Sequence, residues 1–154
     1  MSVQSEERSG PVDPQIPMTI TVLPMPDTVV EQVGFPVGSP YVEAVWLAVL
    51  GPSATWALRR LGTMATVRPE GVRVELAQFA SSLGLGASTG RNSTVVRTLR
   101  RLVAFGMAEW RGDAFLVRRA VGPLPERQLR RVSPVVAERH RRLVAARLER
   151  SLDG

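Results

Sequence analysis

The chain has no cysteine and a single histidine, and every one of its 20 basic side chains is an arginine, so lysine is absent too. Without cysteine neither a disulfide nor a thiolate metal site can form, and one histidine makes no recognisable ligand set. Aromatic residues are scarce, at 5%. No apolar run approaches the roughly 20 residues that cross a bilayer. No charged-then-apolar leader is evident, so the expectation is a soluble cytoplasmic protein without membrane contact.

Catalytic signatures are missing as well. Glu70 and Glu75 stand five residues apart across a turn and form no acid–base pair, and Ser53, Ser81 and Ser82 lack a partner base. His140 stands among arginines, whose charge disfavours its protonation. GLGASTG (residues 84–90) lacks the Lys-Ser/Thr of a phosphate loop and does not directly follow a strand. The expectation is therefore no enzyme, no metal and no cofactor.

What is present fits one compact domain of about 100–150 residues plus a tail. The length is 154 residues, and 44% of them are hydrophobic, enough for a core. GC-rich codon usage accounts for the choice of arginine over lysine, but the placement of the charge is physical information. Residues 1–40 carry Glu6, Glu7, Asp13, Asp27 and Glu31 against Arg8, a net of −4. Residues 91–150 carry 15 arginines against five carboxylates, a net of +10. An acidic front and a basic back point to a polyanionic partner for the second half.

Seven of the 12 prolines fall within residues 1–40, which read as a Pro-rich acidic arm, extended and largely disordered to residue 26 and irregular over 27–40. MTITVLP (18–24) has the composition of a short strand, but the prolines on both sides argue against a central position. From Tyr41 the pattern turns helical. Val42, Val45, Trp46, Val49 and Leu50 share a face, and Gly51-Pro52 interrupts before Ser53 caps a second segment through Trp56, Leu58, Leu61 and Met64. A short strand near 72–74, a helix over LAQFASS ending at Gly84, a polar loop and a helix capped by Asn92 or Ser93 follow. Beyond Gly106 the period shifts to two, with strands flanking Gly112-Asp113. A short helix is expected near 125–131, and Ser133-Pro134 starts a last helix to about Leu152.

The order helix, strand, helix, turn, helix, hairpin resembles a winged helix-turn-helix domain. LAQFASSLGLG is similar to the second helix and turn of that superfamily, and STVVRTLRRLVAFGMAEW to its third helix and first wing strand. SPYVEAVWLAVLGPSATWALRRLG resembles the opening of an uncharacterised actinobacterial-type, hence bacterial, winged-helix family, which implies no activity. The expected fold class is mainly α with a small β-hairpin (α+β). Its parts are the arm at 1–40, a winged helix domain at 41–122 and a basic helical extension at 123–154.

The wheel of residues 92–105 sets Val95, Val96, Leu99, Leu102 and Val103 on one side. Thr94, Arg97, Thr98 and Arg101 fall opposite, with Arg91, Asn92 and Ser93 at the N-terminal end. An α-helix about 10–12 Å across fits a major groove about 12 Å wide, where Arg reads guanine and Asn reads adenine. A solvated helix usually mixes charge signs, yet no carboxylate occurs between residues 76 and 108. Arg111 and Arg118 of the hairpin complete the candidate DNA-binding set, Arg119 lies further along, and the Arg-Gly-Asp string at 111–113 is read as a turn rather than an adhesion motif. The expected function is that of a double-stranded-DNA-binding transcription regulator, nucleoid-associated. It would read the major groove with 92–105 and touch phosphates with the 107–120 wing. The alternative is a winged-helix docking module for a protein or ribonucleoprotein, using Trp46, Trp56 and the acidic arm. The C-terminal helix, with Val136, His140, Leu143 and Arg147 near one face, fits either a homodimer surface or a helix folded back on its own domain.

Overall fold

The computed structural model describes residues 16–154, so Glu6, Glu7 and Asp13 of the acidic arm lie outside the described residues. The described chain is an α+β fold with a small mixed sheet. In order come β1 (Thr19–Pro24), α1 (Thr28–Val33), β2 (Phe35–Pro36), a π-helical turn at Val42–Trp46 leading into α2 (Leu47–Leu50), and α3 (Pro52–Val67). Then follow β3 (Val72–Glu75), α4 (Leu76–Ser82), α5 (Thr94–Ala104), β4 (Ala108–Arg111), β5 (Ala114–Val117), β6 (Ala120–Val121), α6 (Glu126–Leu129) and α7 (Pro134–Asp153).

The four-stranded sheet runs β3-β1-β5-β4, so the MTITVLP segment is an inner strand and not the peripheral one its prolines imply. It pairs antiparallel with β3 and parallel with β5, Val22 standing beside both Val72 and Phe115. The prolines are tolerated because of where they fall. Thr21 and Met25 donate their N–H groups to Asp113 and Val117 on the β5 side. The intervening position, Pro24, therefore faces the β3 side, where pairing has already ended at Val22–Val72. The donor that proline lacks has no acceptor waiting for it. Between the prolines, Ile20 and Val22 are fully buried, so the strand is a core element rather than a disordered one.

Residues 27–40 are likewise built into the fold. Asp27 caps α1 by accepting from Val30 N–H at 3.2 Å, and Phe35–Pro36 pairs with Ala120–Val121 as a second, two-stranded sheet. Phe35 stacks on Tyr41 with ring centroids 3.9 Å apart.

The second helical segment begins differently from the expected serine cap: Gly51, at φ 84°, occupies the N-cap position and Pro52 opens α3. A left-handed glycine and a proline with fixed φ break α2 from α3 without leaving a proline inside a helix. Helix α3 then packs against β1, β5 and α5 through Leu58, Leu61 and Ala65. In the β4–β5 hairpin Gly112 takes φ 60°, the positive value a II′ turn requires at its first central position. The Gly-Asp order is therefore suited to this loop.

Helix α7 is capped by Ser133, whose Oγ accepts from Val136 N–H at 3.3 Å. It folds back on its own domain through Val136, Leu143 and Val144, all partly buried against the core. The Tyr41 hydroxyl, in the fully buried ring, accepts from Leu124 N–H at 2.8 Å and lies 2.7 Å from His140 Nδ1. In the tautomer that leaves Nδ1 bare, the hydroxyl donates its single hydrogen to that nitrogen. Burial and the neighbouring Arg141 charge push His140 below the ordinary histidine range, with Glu126 opposing.

Candidate nucleic-acid interface

Helix α5 forms where the sequence places a cap, a run of helix formers and an apolar stripe. Ser93 Oγ accepts from Val96 N–H at 3.4 Å, and Val95, Val96, Leu99 and Leu102 are buried. Each such side chain contributes about 1.5–3 kcal/mol relative to exposure, which anchors the helix firmly. Gly106, at φ 74°, ends it and turns the chain into β4.

The opposite face divides into free and committed residues. Arg91, Asn92 and Arg97 are exposed, and Thr94 is half-buried. The Arg91 and Arg97 side chains make no hydrogen bond or ion pair among the described residues. Ser93 is occupied as the cap. Thr98 does not lie on the open face: it is only 5% exposed, and its Oγ1 donates to the Thr94 carbonyl at 2.8 Å. Arg101 is not a free cation either. Its Nε donates to Leu50 O at 2.6 Å and its Nη2 to Val49 O at 2.8 Å, and its guanidinium lies 5.0 Å from the Phe105 ring centroid. These carbonyls belong to the C-terminal end of α2, where acceptors lack partners within the helix. A helical wheel cannot show this, because the carbonyls that hold Arg101 lie 51 and 52 residues away in sequence.

The flank is a shallow groove of about 560 Å³ between the start of α3 and α5, lined by residues including Pro52, Ser53, Thr94, Arg97 and Arg100. It therefore meets an α3 N-terminus, with its unsatisfied N–H groups and partial positive charge.

The hairpin arginines are also unequal. Arg111 is exposed and pairs only with Glu109 at 3.2 Å, both side chains well solvated, a contact of little energetic worth. Arg118 is a fold residue: its Nε donates to Gly106 O at 2.7 Å and its Nη1 to Asp27 at 2.7 Å. The Arg118 hydrogen bond, with the Val30 amide, holds the Asp27 carboxyl below the usual carboxylate range. Arg119 forks onto both oxygens of Glu31, with Nη2 at 2.7 Å. Two carboxylates of the acidic front thus neutralise two arginines of the basic back inside one fold.

The wheel missed the contribution of α3. Residues 44–69 contain no carboxylate, so between Ala44 and Ala108 only Glu70 and Glu75 carry negative charge. That second acid-free stretch is the sequence signal that the start of α3 and α5 share a groove whose lining has no carboxylate. Of the features a docking module would use, Trp46 is buried and donates its indole N–H to Gly122 O at 2.9 Å. Elsewhere, Val33, Phe35, Val144 and Leu148 are among the residues lining an apolar groove of about 540 Å³ between α1 and the end of α7. Among the described residues no cluster of histidine and carboxylate side chains is placed to hold a metal ion, and no helix is long and apolar enough to cross a membrane. No family model, no curated protein and no solved structure matches this chain.

Proposed function

We propose that the chain is a double-stranded-DNA-binding protein of the winged helix-turn-helix type, acting as a transcription regulator on the nucleoid. Helix α5 is the element offered to the major groove, and the β4–β5 hairpin is the wing. One observation carries the reading: Arg91 and Asn92 just before α5 and Arg97 on its first turn stand exposed without carboxylate partners, and Arg97 lines the groove that the α3 N-terminus also lines. Forked donors that fold stability does not use are what base edges and phosphates require. Arg111 at the hairpin is the wing residue, whereas Arg101 and Arg118 act by holding the surface together.

The test is fluorescence anisotropy with labelled genomic duplexes across a salt series. Binding that falls steeply with salt is expected. The double variant Arg91→Ala/Arg97→Ala lowers affinity and flattens the log–log slope by about 0.9 for each phosphate that is no longer neutralised. Absence of binding at low salt, or an unchanged slope in the double variant, overturns the reading.

A second reading, docking of a protein partner, draws on the groove between α1 and α7, where Val33 and Leu148 are 65% and 61% exposed. A partner recovered after nuclease treatment and no longer recovered with Leu148→Glu supports it.

A further inference from the structure

A second, smaller groove adjoins the α3–α5 surface. It measures about 280 Å³ and is lined by Pro52, Ser53, Trp56, Arg60, Ser82, Leu83 and Leu85. Pro52 and Ser53 line both grooves, so the two adjoin at the start of α3. Trp56 is 53% exposed, an unusual position for the most costly aromatic to leave in water. The Arg59 guanidinium lies 5.4 Å from its ring centroid, and Arg60 donates from Nη1 to Ser82 O and Oγ at 3.2 and 3.0 Å. Arg60 is thereby oriented, while among the described residues its other donors are not engaged. No carboxylate lines the groove.

We propose that this groove receives an unstacked nucleobase from nucleic acid bound across α5, with Trp56 as the stacking surface and Arg60 meeting the adjoining phosphate. The inference rests on the DNA-binding reading and narrows it: the ligand is a duplex carrying an unpaired nucleotide, at a junction or an end. A base inside an intact duplex already stacks on two neighbours and cannot enter a side groove without extrusion. Arg59 is held by Gly38 O and Glu43, so the groove itself offers one planar aromatic and the Arg60 guanidinium. That pairing matches a single nucleotide better than an acidic peptide, which has charge but no π-face.

The experiment uses the full chain and two labelled DNAs, a blunt duplex and the same duplex with a short unpaired tail, at one salt concentration. The tailed duplex binds about 5- to 150-fold more tightly, the range that stacking of one base supplies. It also quenches tryptophan emission by a component missing from Trp56→Phe. The variant Trp56→Ala abolishes the preference and leaves blunt-duplex binding intact, and Trp56→Phe, which keeps a ring, restores part of it. Equal affinity for the two DNAs, or a preference that survives Trp56→Ala, overturns this inference while the duplex-binding reading stands. Quenching of Trp56 by polyaspartate equal to that by the tailed duplex overturns it in favour of an acidic peptide. No binding to either DNA overturns both.

Discussion

Arg97 and Arg101 are one helical turn apart on α5 but stand in opposite surroundings, one exposed and one bonded to α2. On the proposed reading, replacing each with alanine separates a binding role from a fold role. Arg101 makes two hydrogen bonds to the Leu50 and Val49 carbonyls and covers Phe105. Hydrogen bonds to charged groups contribute roughly 1.5–3 kcal/mol when buried, and removing one partner exposes the other to its desolvation penalty. Here the guanidinium is partly solvated, which lowers the expected loss for Arg101→Ala to about 1–3 kcal/mol in total. For a chain of this size each kcal/mol moves the melting temperature by about 2–4 °C. Thermal denaturation followed by circular dichroism is thus expected to show a drop of roughly 2–12 °C for Arg101→Ala. Arg97 is exposed and has no partner among the described residues, so Arg97→Ala is expected to stay within about 0.5 kcal/mol of the parent. Anisotropy then inverts the ranking. At a temperature where both variants are folded, Arg97→Ala weakens duplex binding and Arg101→Ala does so less. Equal melting temperatures for the two variants refute the division of roles, as does a larger binding loss at position 101.

Other positions yield equally direct expectations. Tyr41→Phe leaves the buried Leu124 N–H without its acceptor and removes the His140 hydrogen bond, so a loss of about 1–3 kcal/mol is expected in denaturant titration. Because His140 sits below its ordinary value of 6.5 in the fold, the unfolded chain binds the extra proton first. Its stabilising contribution is present above the ordinary value and is lost as pH falls through it and the lower folded value. The melting temperature should therefore decline on acidification below neutrality, and His140→Gln, the sole histidine removed, flattens that decline. Gly62 in α3 has no room for a Cβ, which would stand 2.6 Å from Val37 Cγ2 and 2.8 Å from the Arg118 carbonyl oxygen. Gly62→Ala is expected to cost about 1–3 kcal/mol despite alanine's better helix propensity; a neutral or stabilising result by thermal melt would refute this close packing of α3 on the residues that follow β2 and β5.

The parts of the fold legible in the sequence are those written in local chemistry. Ser93 and Ser133 cap their helices as the pattern implies, and Gly84 and Gly106 adopt the left-handed conformation that stops α4 and α5. Val95, Val96, Leu99 and Leu102 are buried as the 3.6-residue period requires, whereas Val103, set on the same side by the wheel, lies at its edge and is exposed. What was not legible depends on packing across long separations. Thr98 and Arg101 have the polarity of an outward face, but α2 and the start of α3 close over that side. Arg118 carries the composition of a phosphate-binding residue, while its partner Asp27 lies 91 residues earlier. The number of prolines around β1 is a poor guide to its position, because the ladder responds only to which side each missing donor faces. Trp56 shares the apolar spacing of a helical face although its ring is largely in water, because α3 rotates to give the sheet Leu58, Leu61 and Ala65 instead.

The inner position of β1 has a kinetic consequence. Its two partners are made at very different times: β3 follows it by some fifty residues, but the parallel register Thr21–Ala114 spans 93. A chain emerging from the ribosome holds an apolar strand, Ile20 and Val22 included, that must wait for the hairpin before its second edge is covered. Closure of so long a loop is slow, and the sheet is expected to complete late in folding. The same geometry means that a fragment starting at Tyr41 is not a smaller version of this protein. Deleting the arm leaves β3 and β5 separated by a slot one strand wide, each presenting an unpaired edge. Such edges recruit strands from other chains, so the segment whose composition looks most dispensable is the one that keeps this sheet from seeking partners.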